Sequence, residues 1–474
     1  MMVLVYALLL GGLEFGPGMR IDEMIDPSVA FSDLASAGGG VLCAIWDGDD
    51  PKKIWSVAST DGGNTWQDQV EVNDESTAYP EQPSVAADTL GTFYAAWGDQ
   101  RGPGPGVICF SKSTDHGLTW LEPNVIATDS GVESVAADIA CSADGSHIVI
   151  AFNRIDERRI YCTCSDDGGA TWSDDVPAGD EGTGSQFYAS VHWMGDDNFI
   201  CAWRDPRYPY LYASVSYDGG ATWLHPNVGI PTDGNDPEGD DIKFCWAAPY
   251  VHVTWTTWYS IGSHAYFEVY YSRSDSTGVN WWPEPARVDS GGHSIYRDWG
   301  GIWSPDSRTV YVAWRQTERY EEEMYALCAA SYDSGRTWGV PAIANNDKLR
   351  CHHCSFTGDR KTGSLYMIWH SAELWFSRGT DDTGIGSEPE QPAAPILSVS
   401  PNPCDASTTV HLLGAGGLLS DVRVRDIYGR LVCRVRATTE ENRRLDTSSL
   451  PSGVYLITAR HEGRSYNANA VVIH

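Results

Sequence analysis

Lysine is scarce in this chain: of 474 residues, only Lys52, Lys53, Lys112, Lys243, Lys348 and Lys361 are lysine. Acidic residues number 64 against 32 basic ones, for a formal net charge of −32 at pH 7. Phosphate backbones repel such a surface, which excludes nucleic-acid binding by bulk electrostatics. Beyond the amino terminus no apolar run reaches the roughly 18 residues that a bilayer span needs, so an internal membrane helix is excluded. A G-x-S-x-G elbow and a G-x-x-x-x-G-K loop are both missing, which removes the corresponding serine-hydrolase and phosphate-loop readings. The 12 cysteines form no dense disulfide frame. Cys43, Cys109, Cys201 and Cys245 sit inside apolar runs, where cysteine behaves as a small hydrophobe. Cys351 and Cys354 enclose His352 and His353, a C-x-x-C without the second half that a zinc site needs. Cys404 and Cys433 share the terminal segment, and their pairing stays open.

What the chain has is material for a core and for turns. Its 20 Trp and 23 Tyr exclude disorder as the main state, and its 48 Gly favour a turn-rich fold. The opening run MMVLVYALLLGG matches the apolar core of a secretory signal, so an export segment is expected over 1–18. A buried first strand is the alternative reading of the same residues.

The strongest feature is an internal repeat. Six segments follow Ser-x-Asp-x-Gly-x-x-Trp: 59–66, 113–120, 165–172, 216–223, 274–281 and 331–338. The fifth departs, with Ser276 at the Asp position. The closing Trp66, Trp120, Trp172, Trp223, Trp281 and Trp338 are spaced by 51 to 58 residues. Asp61, Asp115, Asp167, Asp218 and Asp333 can each accept amide hydrogen bonds from their own turn. The Gly two places later permits a positive φ. The Trp is expected to fold back as an apolar plug between neighbouring units. The motif therefore reads as a self-capped hairpin turn with a structural role.

Ahead of each turn lies an apolar run ending in an aromatic, such as VLCAIWDGD, TFYAAWGDQR or NFICAWRDPR; seven of these occur. Each is flanked by further strand-like runs. Four short strands per unit predict a β-propeller over 22–388, with seven blades, or six if one terminal unit is partial. SEPEQPAAP reads as a linker, placed at 389–395. Residues 396–474 alternate apolar residues with Gly and Pro turns, which predicts a small antiparallel β-sandwich. The fold class is thus all-β: a propeller followed by a sandwich.

These motifs resemble two families. The repeats look like the Asp-box, or bacterial neuraminidase, repeats of the sialidase superfamily. The terminal segment is similar to type IX secretion sorting domains and to the immunoglobulin-like domain of the flagellar hook-capping family. Its matching pieces are Ser400-Pro401-Asn402-Pro403, Asp426-Ile427-Tyr428-Gly429-Arg430 and Leu450-Pro451-Ser452-Gly453-Val454-Tyr455. This resemblance implies export, a secreted or cell-surface location and contact with secretion machinery. Sialidases carry Arg-Ile-Pro in the first blade, where the Arg clamps a substrate carboxylate. Here the matching strand is Met24-Ile25-Asp26-Pro27, with Ile25 at the Arg position. Arg20-Ile21 is followed by Asp22 rather than Pro, and the second unit has Glu81-Gln82-Pro83. The family's first-blade Arg is therefore missing.

Sialidase-like propellers bind ligands on the face opposite the Asp boxes. The loops of that face carry Asp99 and Arg101, Arg154 and Asp156, Arg204, Asp205 and Arg207, Arg315 and Arg319, and then Arg297 and Asp298. Arg–carboxylate groups with aromatics such as Trp258, Tyr208 and Tyr259 suit sugars or acidic glycans. The plainer alternative is that each Asp–Arg pair locks its own loop. Arg204, Asp205, Arg207, Arg297 and Asp298 form the preferred site, with Arg154, Arg315 and Trp258 as further ligand candidates. For glycosidase chemistry the candidates are Asp298, Tyr296 and Glu318. No cofactor is expected. Calcium at Asp233, Asp236 and Asp240, in an acidic loop without EF-hand spacing, is the weaker alternative to a solvated loop. The function expected is a secreted or surface propeller that binds glycans or other extracellular polymers. The alternatives are an exo-acting sialidase-type glycoside hydrolase and a scaffold for a protein partner.

Overall fold

The computed structural model describes residues 12–22, 29–49, 52–74, 79–100, 104–128, 131–182, 184–232, 234, 242–261, 264–289, 296–317, 324–345, 350–370 and 373–381 of the first unit. In the second it describes 396–400, 407–413, 420–426, 430–435, 443–461 and 464–472. The two units divide at Ile385 and Gly386. The opening run 1–11, the linker 389–395, Cys404 and the acidic loop residues Asp233, Asp236 and Asp240 lie outside the described residues.

Seven antiparallel sheets make the first unit, which is a seven-bladed propeller. Blade 1 shows the pattern: Val29–Gly38 innermost, then Val41–Asp49, Lys52–Ser59 and the short outer Val70–Glu71. Blades 2 to 6 repeat it, with inner strands Pro80–Ala87, Ser134–Cys141, Phe187–Trp193, Lys243–Ala247 and Tyr296–Trp303. Blade 7 takes only three strands from its own stretch: His353–Asp359, Ser364–His370 and Leu374–Asp381. Its outer strand comes from the other end of the unit. Leu13–Phe15 pairs with Asp381 to Gly379, and Met19–Arg20 pairs with Phe376 and Trp375. Leu13–Phe15 and Met19–Arg20 lie ahead of the expected start at 22 and pair with the last strand of blade 7.

A blade is apolar on both faces, so each must be covered by a neighbour. The second strand of every blade supplies one large aromatic at the same register: Trp46, Trp97, Phe152, Trp203, Trp255, Trp314 and Trp369. All are at most 2% exposed. Each anchors its own inter-blade core; Trp46 packs with Tyr366 and Ile368 of blade 7, and Trp203 with Val149 and Cys162 of blade 3.

The Asp boxes close the outer part of six of the seven interfaces. In the first, Asp61 accepts the Thr65 amide at 2.9 Å, the Thr65 hydroxyl at 2.7 Å and the Ser59 hydroxyl at 2.9 Å. The Ser59 hydroxyl in turn accepts the Gly63 amide at 2.9 Å. Asp115, Asp167, Asp218 and Asp333 repeat this pattern. The Thr171 hydroxyl and amide hold the Asp167 carboxyl down at about 2. In the fifth box, where Ser276 replaces the Asp, Asp275 takes over one position early. It accepts the Thr277 amide at 3.0 Å and the Asn280 side-chain amide at 2.6 Å.

The box Trp packs on the preceding blade. Trp66 meets Phe376, Trp172 meets Phe110 and Trp338 meets Tyr271 edge-on, at centroid separations of 5.1, 5.0 and 5.3 Å. Trp120 instead donates its indole N–H to the Ser56 hydroxyl at 2.8 Å. The box Gly has a second task beyond its positive φ. A Cβ on Gly335 would sit 1.9 Å from the Tyr271 ring, and one on Gly63 2.2 Å from Phe376. The turn thus lies flush on its neighbour, with no room for a side chain.

The second unit has two antiparallel sheets. Ile396–Ser400, Ser407–Leu413 and Arg443–Asp446 form one; Leu431–Val435, Ser420–Asp426, Gly453–His461 and Arg464–Val472 form the other. Val422, Val424, Tyr455, Ile457 and Val472 are buried there.

Two substitutions separate the local role of the box from its packing role. Asp115→Ala removes the turn's acceptor and should cost about 1–2 kcal/mol in urea unfolding. Gly335→Ala forces a Cβ into the Tyr271 ring and should cost more, about 3 kcal/mol. Equal and negligible losses would contradict the structural role assigned to the boxes.

Candidate functional site

The strand order gives the propeller two faces. Asp boxes and the hairpins joining first and second strands share one, the box face. Loops joining second and third strands, and the segments between blades, share the other, the loop face. The preferred residues read from the sequence lie toward the loop face.

Several of them are committed within their own blade. Arg207 forks onto Asp205, with Nε and Nη2 at 2.8 and 2.7 Å, and its Nη1 reaches Asp180 at 2.9 Å. Its guanidinium also lies 4.0 Å from the Tyr212 ring centroid. Arg154 is bonded to Asp175, reaches Glu157 at 3.5 Å and stacks on Tyr161 at 4.2 Å. Arg20 is bonded to Asp22 and Glu373 at 2.7 and 3.0 Å, on the outermost strand of blade 7, so it is no substitute for the missing clamp.

Others share one register, the position following the second-strand aromatic. There the side chain reaches the start of the next blade. Asp47 accepts the Phe31 amide at 2.7 Å and, across the interface, the Gln82 amide at 3.2 Å. Asn153 donates to the Gln186 carbonyl at 2.9 Å, and Arg315 donates to the His352 carbonyl at 2.5 Å. Arg204 holds this register in blade 4, facing Phe187 and Leu211 in the sheet. At Asp47, Asn153 and Arg315 this position is thus an inter-blade latch. Tyr296, Arg297 and Asp298 lie at the start of the inner strand of blade 6, opposite Thr317, Gln316 and Arg315. Trp258 lies in the second strand of blade 5, opposite Phe267. Glu318, Arg101 and Arg319 lie outside the described residues.

The residues that converge on the channel are ones the sequence reading passed over. Opposite the residue before each second-strand aromatic, the inner strands present Asp33, Ser84, Asp138, Ser190, Lys243, Gly301 and Ser355. Four of the contacts between neighbours are hydrogen bonds. Ser355 Oγ donates to Asp33 Oδ1 at 2.8 Å, and Ser190 Oγ to Asp138 Oδ2 at 2.9 Å. The Ser84 hydroxyl lies between Asp33 Oδ2 (3.2 Å) and Asp138 Oδ1 (2.8 Å), donating to one at a time. The amides of Val85 and Val191 complete the two carboxylates at 3.0 and 2.8 Å. The result is a polar waist across the channel. The motif that could have revealed it is a single polar residue recurring in an otherwise apolar first strand. A bulge just before it hides that register.

The bulges themselves face the loop-side mouth. Pairing slips between Glu81 and Ser84, Val135 and Asp138, and Phe187 and Ser190. At each slip a non-glycine residue adopts a left-handed backbone: Gln82 (φ 54°), Ala136 (φ 56°) and Tyr188 (φ 58°). All three line a cavity of about 100 Å³ at that mouth, with Phe31, Lys243 and His353. Blade 4 adds exposed aromatics: Phe187, Tyr188 and Tyr208 are 40, 38 and 68% exposed.

Beside the mouth lies a histidine group. His353 is buried, its Nδ1 3.3 Å from the Ser32 hydroxyl, and its ring is 5.6 Å from that of His370. Burial, reinforced by the neighbouring imidazoles and Arg315, pushes His353 well below its ordinary value and His370 down to about 3. Among the described residues no cluster of three or more His, Cys, Asp or Glu side chains is placed to hold a metal ion.

Both imidazoles are therefore neutral in the fold, while in the unfolded chain they titrate near about 6.5. Below that pH the unfolded state binds protons that the fold refuses, so stability is full above about 6.5 and falls as pH drops toward about 3. His370→Asn should make the acid loss of stability shallower, read as the difference in urea midpoint between pH 7 and pH 4.5. An unchanged difference would refute the neutral buried state.

Residues 46–239 match the BNR repeat-like domain family, and residues 398–473 match the secretion system C-terminal sorting domain family. No curated protein sequence matches the chain. Among solved structures it is similar to a Dyadobacter fermentans protein of unknown function, at 14% identity, 78% coverage of this chain, 100% of that one and a TM-score of 0.47. It is also similar to the α-L-arabinanase of Penicillium chrysogenum, at 16% identity, coverages of 64% and 93% and a TM-score of 0.44. The NanB sialidase of Streptococcus pneumoniae matches at 12% identity, coverages of 77% and 70% and a TM-score of 0.45. With six Asp-box copies, seven blades and the two matched domains, the chain is a secreted or cell-surface seven-bladed propeller whose residues 46–239 match the BNR repeat-like domain and whose residues 398–473 match the secretion system C-terminal sorting domain.

Proposed function

We propose that the propeller binds glycans or other extracellular polymer chains at the loop-side mouth of its channel, without sialidase chemistry. The observation that carries this reading is the row of left-handed bulges at Gln82, Ala136 and Tyr188. Each costs on the order of 1–3 kcal/mol and persists only where its surroundings demand it, as at ligand clamps. They bring Gln82 and Tyr188 to one cavity, next to the exposed aromatics of blade 4. Flat rings beside fixed amide and hydroxyl groups suit sugar faces and hydroxyls. Against chemistry stand the commitments of the arginines. Arg154 and Arg207 are held by Asp175, Asp205 and Asp180, and Arg20 lies on the outer strand, so none supplies the missing carboxylate clamp. Asp33 and Asp138 are saturated by amides and hydroxyls, an arrangement for holding strands rather than for passing protons.

The test uses the full chain with a fluorogenic sialoside, a panel of other glycosides and a set of immobilised polysaccharides. The expected result is no turnover, with retention on at least one polysaccharide that Tyr188→Ala weakens about tenfold and Asp115→Ala leaves unchanged. Sialoside turnover that disappears in Arg297→Ala would replace this reading with a sialidase whose clamp is rearranged. Absence of both turnover and retention would remove the glycan reading.

A further inference from the structure

The channel has a second mouth, on the box face, and it is the roomier one among the described residues. A cavity of about 520 Å³ opens there below the polar waist. That volume falls within the range of small-molecule sites. Its wall includes the indoles of Trp193, Trp246 and Trp303. Trp193 and Trp246 are half-buried.

The charge at this lip is unusual for the chain. Two of its six lysines, Lys243 and Lys361, line the cavity together with Arg360. Arg360 belongs to the hairpin joining the first two strands of blade 7. It stretches over the lip to donate to the Trp246 carbonyl at 2.7 Å and the Ser304 carbonyl at 3.2 Å, on blades 5 and 6. Carbonyls fix the guanidinium in place but leave its charge uncompensated. Lys361, exposed beside it, makes no side-chain hydrogen bond or ion pair among the described residues. Four acids line the same cavity: Asp33 and Asp138, held in the waist, and Asp359 and Asp88 at the lip, each accepting backbone amides. Asp359 accepts the amides of Gly40 and Lys361 at 2.8 Å each, and Asp88 accepts those of Leu90 and Thr92 at 2.9 Å each.

We propose that this cavity is a binding site for a carboxylated saccharide, a short uronate chain end. The indoles would take the faces of sugar rings, while Arg360 and Lys361 take the ring carboxylates. The chemistry gives a role to Lys361 at the lip and to an arginine tethered there by carbonyls rather than by an acid. The site lies on the box-face side of Asp33, Ser84, Asp138, Ser190 and Lys243, which line both cavities, and its argument does not depend on what binds at the loop-side mouth.

The experiment is calorimetric titration of the full chain with trigalacturonate, beside the fully methyl-esterified trisaccharide, which keeps the rings and loses the charge. Trigalacturonate is expected to bind and the ester to bind at least tenfold more weakly, with affinity falling as salt rises. Lys361→Gln, which removes no hydrogen bond or ion pair among the described residues, should weaken binding about tenfold, and Arg360→Gln by as much or more. Tyr188→Ala at the opposite mouth should leave it unchanged. Failure of trigalacturonate to bind would overturn the proposal, as would equal binding of the ester. Binding that is lost in Tyr188→Ala and kept in Lys361→Gln would also overturn it, placing the saccharide at the loop face instead.

Discussion

Every blade of this propeller is covered by the one before it, and one buried aromatic per interface makes that possible. Trp46, Trp97, Phe152, Trp203, Trp255, Trp314 and Trp369 occupy a single register and are nearly inaccessible to water. Around that register the rest of the structure is arranged. The residue opposite its predecessor faces the channel and forms the polar waist. The residue following it crosses to the next blade and holds the start of its inner strand. Farther out, the box Trp and the bare box Gly seal the same interface against the preceding blade. Core, latch and channel lining are thus arranged around one packing position that recurs in all seven blades.

The repeat was legible in the sequence because an Asp box is local chemistry. Asp61, Ser59, Thr65 and Gly63 satisfy one another within seven residues, so their spacing survives in the one-dimensional pattern. The plug role of Trp66 followed from its size alone. What required coordinates was everything nonlocal. Blade 7 has no Asp box because its outer strand is borrowed, and Gly16 accepts the Ser377 hydroxyl from 361 residues away. No periodicity reports such a pairing.

The candidate site was only partly legible, for a different reason. A charged residue after a strand-ending aromatic looks the same whether it faces a ligand or a neighbouring blade. Asp47 and Arg315 turn toward the neighbour. Arg154 and Arg207 were readable as loop locks, the plainer of the two readings, because each sits within a few residues of an acid. The waist residues Asp33, Ser84, Asp138 and Ser190 escaped because a bulge resets the two-residue alternation just before each of them. Polar residues in an inner strand carry meaning only once that reset is known.

The borrowed strand has a consequence for how the chain is made. Leu13–Phe15 is synthesised first, yet its partner Leu374–Asp381 is the last strand of the propeller. A ribosome that stops early therefore leaves an open arc with two raw edges, one of them a hydrogen-bonding ridge with nothing to clasp. Only a chain read through to its final blade can hide both edges. The sorting domain begins shortly after that blade, at residue 398. The sorting domain thus emerges only after the strand that shuts the ring has been made.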